Sequence, residues 1–146
     1  MADRIGYAVY DVDIFEWSEH QAALLRRAAT GERVNDLDWP NIIEEIESVG
    51  RSQLDAVESL LYQAIVHMLK ADGWPLSQDV ENWHGDARGF RAQARRKFRE
   101  SMRDKLDVPG LRSDALQALP AVMDGQPPLP TIELSTFTLD ELLSEP

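Results

Sequence analysis

The chain has 146 residues, with 26 acidic and 15 basic side chains for a formal net charge of -11, 43% hydrophobic residues and no cysteine. That much chain can bury a core without covalent staples, so a single soluble globular domain is expected, with a body over 1–108 and a proline-punctuated segment over 109–146. The composition excludes a disulfide scaffold, thiolate metal sites and a cysteine nucleophile, and it argues against coating nucleic acid through bulk charge.

The stretch Met1–Gly6 has no apolar run with basic flanks, so no secretory signal is read there. The longest uncharged apolar stretch, residues 59–69, is far shorter than the roughly 20 residues of a membrane span. A cytoplasmic location and no membrane partner are therefore expected.

The first helix is predicted to start at Asp13, where Asp13-x-x-Glu16 has the spacing of an amino-terminal cap. Ile14, Trp17, Gln21, Leu24, Leu25 and Ala28 follow at helical spacing, and Gly31 is the left-handed stop. The second helix is predicted from Pro40 to Asp72. Ile42, Ile43, Ile46, Val49, Val57, Leu60, Leu61, Ala64 and Met68 recur along one stripe, which is expected to be buried. Gly50 lies on that stripe and leaves open a kink or a close neighbour. Gly73 then caps the helix, with Pro75 behind it.

The third helix is predicted from Ser77 or Asp79 to Leu106, with Val80, Trp83, Ala87, Phe90, Ala94, Phe98 and Met102 on its buried stripe and Pro109-Gly110 as its stop. The short turn between helices two and three implies an antiparallel pair. A fourth helix, Ser113 to Asp124, is bent or split by Pro120. Gln126 to Ser135 reads as an extended strap, and the capping box Thr138-x-x-Glu141 opens a last turn through Leu143. No segment alternates like a strand. The expected fold is all-α, an antiparallel helical bundle of about four helices with a proline-rich carboxy-terminal strap and a short terminal helix.

Several runs also point to a family. They are Tyr10-Asp11-x-Asp13-x-Phe15-Glu16-Trp17, Gln21-Ala22-x-Leu24-Leu25-Arg26, and the block from Leu37-Asp38-Trp39-x-Asn41 through Glu44-Glu45-Ile46-Glu47-Ser48-Val49-Gly50-Arg51-Ser52. His67-Met68-Leu69-Lys70, Trp83 and Phe137-Thr138-Leu139 complete the pattern. In these the chain resembles the bacterial helical family numbered twenty-nine among the domains of unknown function, over nearly its whole length. The resemblance implies a helical domain in bacteria and carries no activity. Gly85 and Gly89 stand where that family usually has helix-favouring residues, which implies a looser start to helix three.

Four constellations could carry chemistry. With Ile46 at the centre of the buried face, Glu45 and Glu47 would lie at its flanks and Glu44 in solvent. That arrangement reads as a solvated face with a Glu47–Arg51 pair rather than as paired acid and base carboxylates. Glu81-x-x-His84 and Glu16-x-x-x-His20 are single motifs, whereas carboxylate metal sites in bundles need two Glu-x-x-His units, so no metal or cofactor is expected. Gln21, Gln53 and His67 fall on the buried stripes, where a polar group must find a hydrogen bond. They read first as a network fixing helix register, next as side chains exposed at a helix edge, and last as a small ligand pocket.

The fourth is the basic third helix. Residues 88–105 hold eight basic and two acidic side chains, a net +6, while the remainder holds seven basic and 24 acidic, a net -17. Arg88, Arg91, Arg95, Arg96, Arg99 and Arg103 make up most of this face. Its first expected partner is the chain itself, through the acidic second helix and the tail; a partner protein or a homo-oligomer comes next, and nucleic acid last, because no aromatic interleaves the exposed side. No phosphate loop is present, since Gly85-x-x-x-Gly89 lacks the Lys-Ser/Thr, and no nucleophile elbow; Ser77 and His84 lack a positioned acid. The function expected from these residues is a non-enzymatic protein-interaction or self-association module.

Overall fold

The structure, a computed structural model, describes residues 9–145. The secretory-signal reading of Met1–Gly6 lies outside the described residues, as does Pro146. The fold is all-helical, and the described residues contain no strand, only an isolated bridge between Met123 and Gln126. Two compact units divide the chain, Met1–Arg51 and Ser52–Pro146. The division falls within a helix, whereas the compositional change comes at 108/109.

In the first unit, a helical turn at 9–12 leads into α1, Ile14–Ala29. Asp13 caps α1 as its spacing predicts, its carboxylate accepting from the Glu16 amide at 3.0 Å. Gly31 ends it at φ 90°, a left-handed residue where glycine carries no Cβ penalty. Helix α2, Trp39–Gly73, follows. Its amino-terminal cap is Asp38, whose backbone carbonyl accepts from Ile42 and whose carboxylate accepts from the Asn41 amide. The proline at position 40 sits in the first turn, where a missing amide costs nothing. Tyr10 bonds to Glu45 and Trp17 to Asp38, so the start of the chain runs antiparallel to the start of α2.

Helix α2 is continuous through Gly50, and a Cβ there would meet nothing within 4 Å, so neither a kink nor a close neighbour requires the glycine. Beyond residue 52, α2 supplies the core of the second unit. Val57, Leu61, Ile65 and Leu69 are buried with Ala94, Val108, Ala115, Ile132 and Leu142. Helix α3, Val80–Lys97, returns along α2. His67 meets Asp86 and Phe90, while Ala71 and Trp74 meet Val80 and Trp83, and that descending register is antiparallel. The helix runs through Gly85 and Gly89 without a break.

The expected end of helix three at Leu106 is corrected: α3 stops at Lys97. Phe98 and Arg99 are extended, and the Arg99 guanidinium takes the carbonyls of Arg96 and Phe98, the first of which a longer helix would need for its own amide. A 3-10 helix, Glu100–Lys105, follows. Pro109-Gly110 is likewise not a stop. It lies in the first turn of α4, Val108–Ala118, whose cap Asp107 accepts from the Gly110 amide at 3.1 Å. The predicted fourth helix is therefore shifted towards the amino terminus and ends before Pro120.

The strap is extended only over part of its length. Asp124 and Gly125 both have positive φ and make a two-residue turn between Met123 and Gln126. Pro130–Leu134 is a 3-10 helix. Leu129 donates to the Gly73 carbonyl at 2.9 Å, and Pro128 lies so close that a Cβ on Gly73 would come within 3.1 Å of it. Gly73 thus serves a close approach rather than a left-handed cap. Helix α5, Leu139–Leu143, carries both bonds of the predicted Thr138/Glu141 capping box and inserts Leu142 into the core.

Candidate functional site

The first unit has two contrasting layers. Inside is a polar network centred on Asp38. Its carboxylate accepts from the Trp17 indole at 2.9 Å and from the Asn41 amide side chain at 2.7 Å, and its own backbone amide donates to Gln21 Oε1 at 2.8 Å. Trp17, Gln21 and Asp38 are buried. One residue thus caps α2 and satisfies a buried indole with its carboxylate, and satisfies a buried glutamine with its backbone amide. Tyr10 stacks edge-on against Trp17, with ring centroids 4.9 Å apart, and donates to Glu45 at 2.6 Å. That hydrogen bond to an anion is the main reason the Tyr10 phenol is pushed up from 10 to about 12.

Outside, the same unit presents apolar side chains to solvent. On α2, Trp39 is 55% exposed, Ile43 51%, Ile46 68% and Val49 66%. Val12, Ile14 and Phe15 are also exposed at the start of the chain. The expected burial of Ile43, Ile46 and Val49 is therefore corrected, although Ile42 is buried as predicted. The acidic block flanks this face. Glu44 bonds to Arg51 at 2.6 Å, and Glu47 lies 3.6 Å from the same guanidinium, the expected four-residue pair.

The three polar candidates do not form one network. Gln21 is in the Asp38 network of the first unit. Gln53, expected on the core face of α2, is exposed. His67, in the second unit, holds its Nδ1 2.8 Å from the Gln63 carbonyl, so that nitrogen carries the proton; its Nε2 faces Asp86 at 3.6 Å and its ring meets Phe90. This arrangement ties α2 to α3.

Two basic residues of α3, Arg91 and Arg95, turn to the tail rather than to α2. Arg91 donates to the carbonyls of Glu141, Leu142 and Ser144 at 2.8–3.0 Å. Arg95 donates to that of Ser144 at 3.0 Å. Two cations thus cover the negative carboxy-terminal end of α5. Arg103 pairs with Glu100 and with Asp140, each at 2.9 Å, which holds the Glu100 carboxyl below its ordinary range and raises the guanidinium. Arg88 and Arg96 are exposed and make no ion pair among the described residues.

Among the described residues, no three His, Asp or Glu side chains group as a metal site, and no helix is long and apolar enough to cross a membrane. Glu81, His84, Glu16 and His20 are all exposed. The second unit holds an open cavity of about 450 Å³ at the end of α2, walled by Trp74, Leu76, Met123, Pro127 and Leu129. The sequence did not point to it, because the tight turn at Asp124-Gly125 is what brings Met123 and Pro127 near Trp74.

No curated protein matches the chain. A solved structure similar to it is the crystal structure of an alpha-helical protein of unknown function from Rhodospirillum rubrum ATCC 11170. The identity is 26%, the match covers 92% of this chain and 94% of that one, and the TM-score is 0.53. Residues 9–145 match the family described as domain of unknown function DUF29, and the chain belongs to that family.

Proposed function

We propose that the chain is a non-enzymatic protein-interaction module that docks a partner, or a second copy of itself, through the exposed apolar face of its first unit. One observation carries this reading: Trp39, Ile43 and Ile46 stand exposed in a row at helical spacing on a well-formed helix. Rows of that kind are characteristic of surfaces that meet another protein. Anion binding through the basic segment 88–105 draws less support, since Arg91 and Arg95 of α3, and Arg99 and Arg103 beyond it, already donate within the chain.

The test is photo-crosslinking from a reactive side chain in place of Ile46, with the exposed Gln93 of α3 as the control position, together with light scattering of the pure chain at low and high salt. Adducts from position 46 but not 93, or association lost on Ile46→Asp, support the reading. A strict monomer that gives no adduct from position 46 overturns it.

A further inference from the structure

We infer that the exposed face at the start of α2 takes a cationic amphipathic helix from another protein. The inference rests on the reading of this face as a docking surface and adds the chemistry of its occupant.

The shape of the face suits a helix. Trp39, Ile43, Ile46 and Val49 extend along one side of α2 for about 15 Å, the length over which a partner helix offers anchors at i, i+3 or i+4, and i+7. The surroundings set the charge of the occupant. Residues 9–51 carry ten acidic and four basic side chains. Two of those four are already paired, Arg27 with Glu32 and Arg51 with Glu44 and Glu47. Asp11, Asp13, Glu16 and Glu19 make no ion pair among the described residues. An apolar row in an acidic field selects a partner with an apolar stripe and basic flanks.

A second copy of this chain does not meet that description. Two first units brought together would set net negative charge against net negative charge. The one strongly basic element, α3, has its apolar side, Trp83, Ala87 and Ala94, already buried. The described residues therefore hold no cationic apolar face to offer to a second copy.

The test uses the full chain and three synthetic peptides of about 18 residues, roughly five helical turns, followed by fluorescence anisotropy. The first is a Leu/Lys peptide with all its leucines on one helical face, the second has the same composition scrambled, and the third is a Leu/Glu peptide with the first pattern. The expected result is saturable binding of the patterned Leu/Lys peptide, with the other two weaker by about tenfold or more. Ile46→Asp should weaken that binding by about tenfold even though it adds a negative charge that simple attraction would favour; Ile43→Asp is the second variant, and circular dichroism checks that both fold. The double variant Glu44→Lys/Glu47→Lys should weaken it too.

Equal binding of patterned and scrambled Leu/Lys peptides, or unchanged binding to both aspartate variants, overturns the inference, since bulk charge would then explain the affinity. Equal binding of the Leu/Glu peptide overturns the cationic partner and leaves the docking surface. If no peptide binds but the chain self-associates in light scattering and Ile46→Asp abolishes it, the inference fails and the interaction module stands. If no peptide binds, the chain stays monomeric and position 46 gives no adducts, both fail.

Discussion

Trp39, Ile43 and Ile46 have the same phase on α2 as Val57, Leu61 and Ala64, each eighteen positions later, about five turns at 3.6 residues per turn. The later three are fully buried and the earlier three more than half exposed. Both triplets are large or apolar, lie on one continuous helix and satisfy the same periodicity. They differ in what their surroundings supply. The second unit brings α3, α4, a 3-10 turn and α5 against the stripe. Among the described residues, the first unit has α1 and the turn before it, too little to cover every apolar face. Periodicity tells which side of a helix is apolar; the supply of covering elements tells whether that side is buried.

The sharpest way to break this comparison is a pair of truncations. Leu61→Ala or Ile65→Ala should destabilise the chain by about 2–5 kcal/mol in chemical denaturation, whereas Ile46→Ala should stay within about 0.5 kcal/mol. Equal losses would show that the exposed row is in fact part of a core.

Within the first unit, the burden falls on the polar network instead. Asp38→Ala removes the cap of α2 and strands the buried Trp17 indole, so a loss of about 1–3 kcal/mol is expected. Asp38→Asn keeps an acceptor and should recover much of it. Indifference to both would mean that water satisfies these groups.

In the second unit, Arg91→Ala should loosen α5 by about 1 kcal/mol, a figure reduced for partial exposure. Hydrogen exchange should quicken over 139–145 and not over 57–69. A uniform quickening would show that α5 is no separate element.

The smallest effect is a titration. The Tyr10 phenol is raised in the folded chain, so its bond to Glu45 contributes fully below pH 10 and is lost as pH rises towards 12. The ultraviolet difference between the parent and Tyr10→Phe should place its midpoint near 12. A midpoint near 10 would show that the bond does not form.

Local features of the fold were legible because their causes are local. Asp13, Gly31 and the Thr138/Glu141 box act within one turn of the chain, and each does what its spacing predicts. Pro109-Gly110 misled for the same reason. A proline can stop a helix or sit in the first turn of the next, and only Asp107 behind it, free to cap, decides between them. The end of α3 was hidden because it depends on where one arginine, Arg99, sends its donors. In the candidate site, helical spacing marks Gln21 as a buried polar group needing a partner, but that partner, the backbone of Asp38, lies 17 positions away. For Arg91 and Arg95 the charge pattern points to acidic side chains of the chain itself, in helix two and the tail; the tail is where they go, but their targets are backbone carbonyls, which carry no signature in a sequence.

Residue type and spacing along single segments were enough for the all-helical class, the family, the caps at Asp13, Gly31 and Thr138/Glu141, and the apolar side of each long helix. It takes the assembled fold to leave α2 buried at one end and bare at the other, to send Arg91 and Arg95 to backbone carbonyls of the tail, and to turn Gln53 to water. Each of those depends on which distant segments arrive to cover a surface or satisfy a charge, and a helical period is the same whether or not they do.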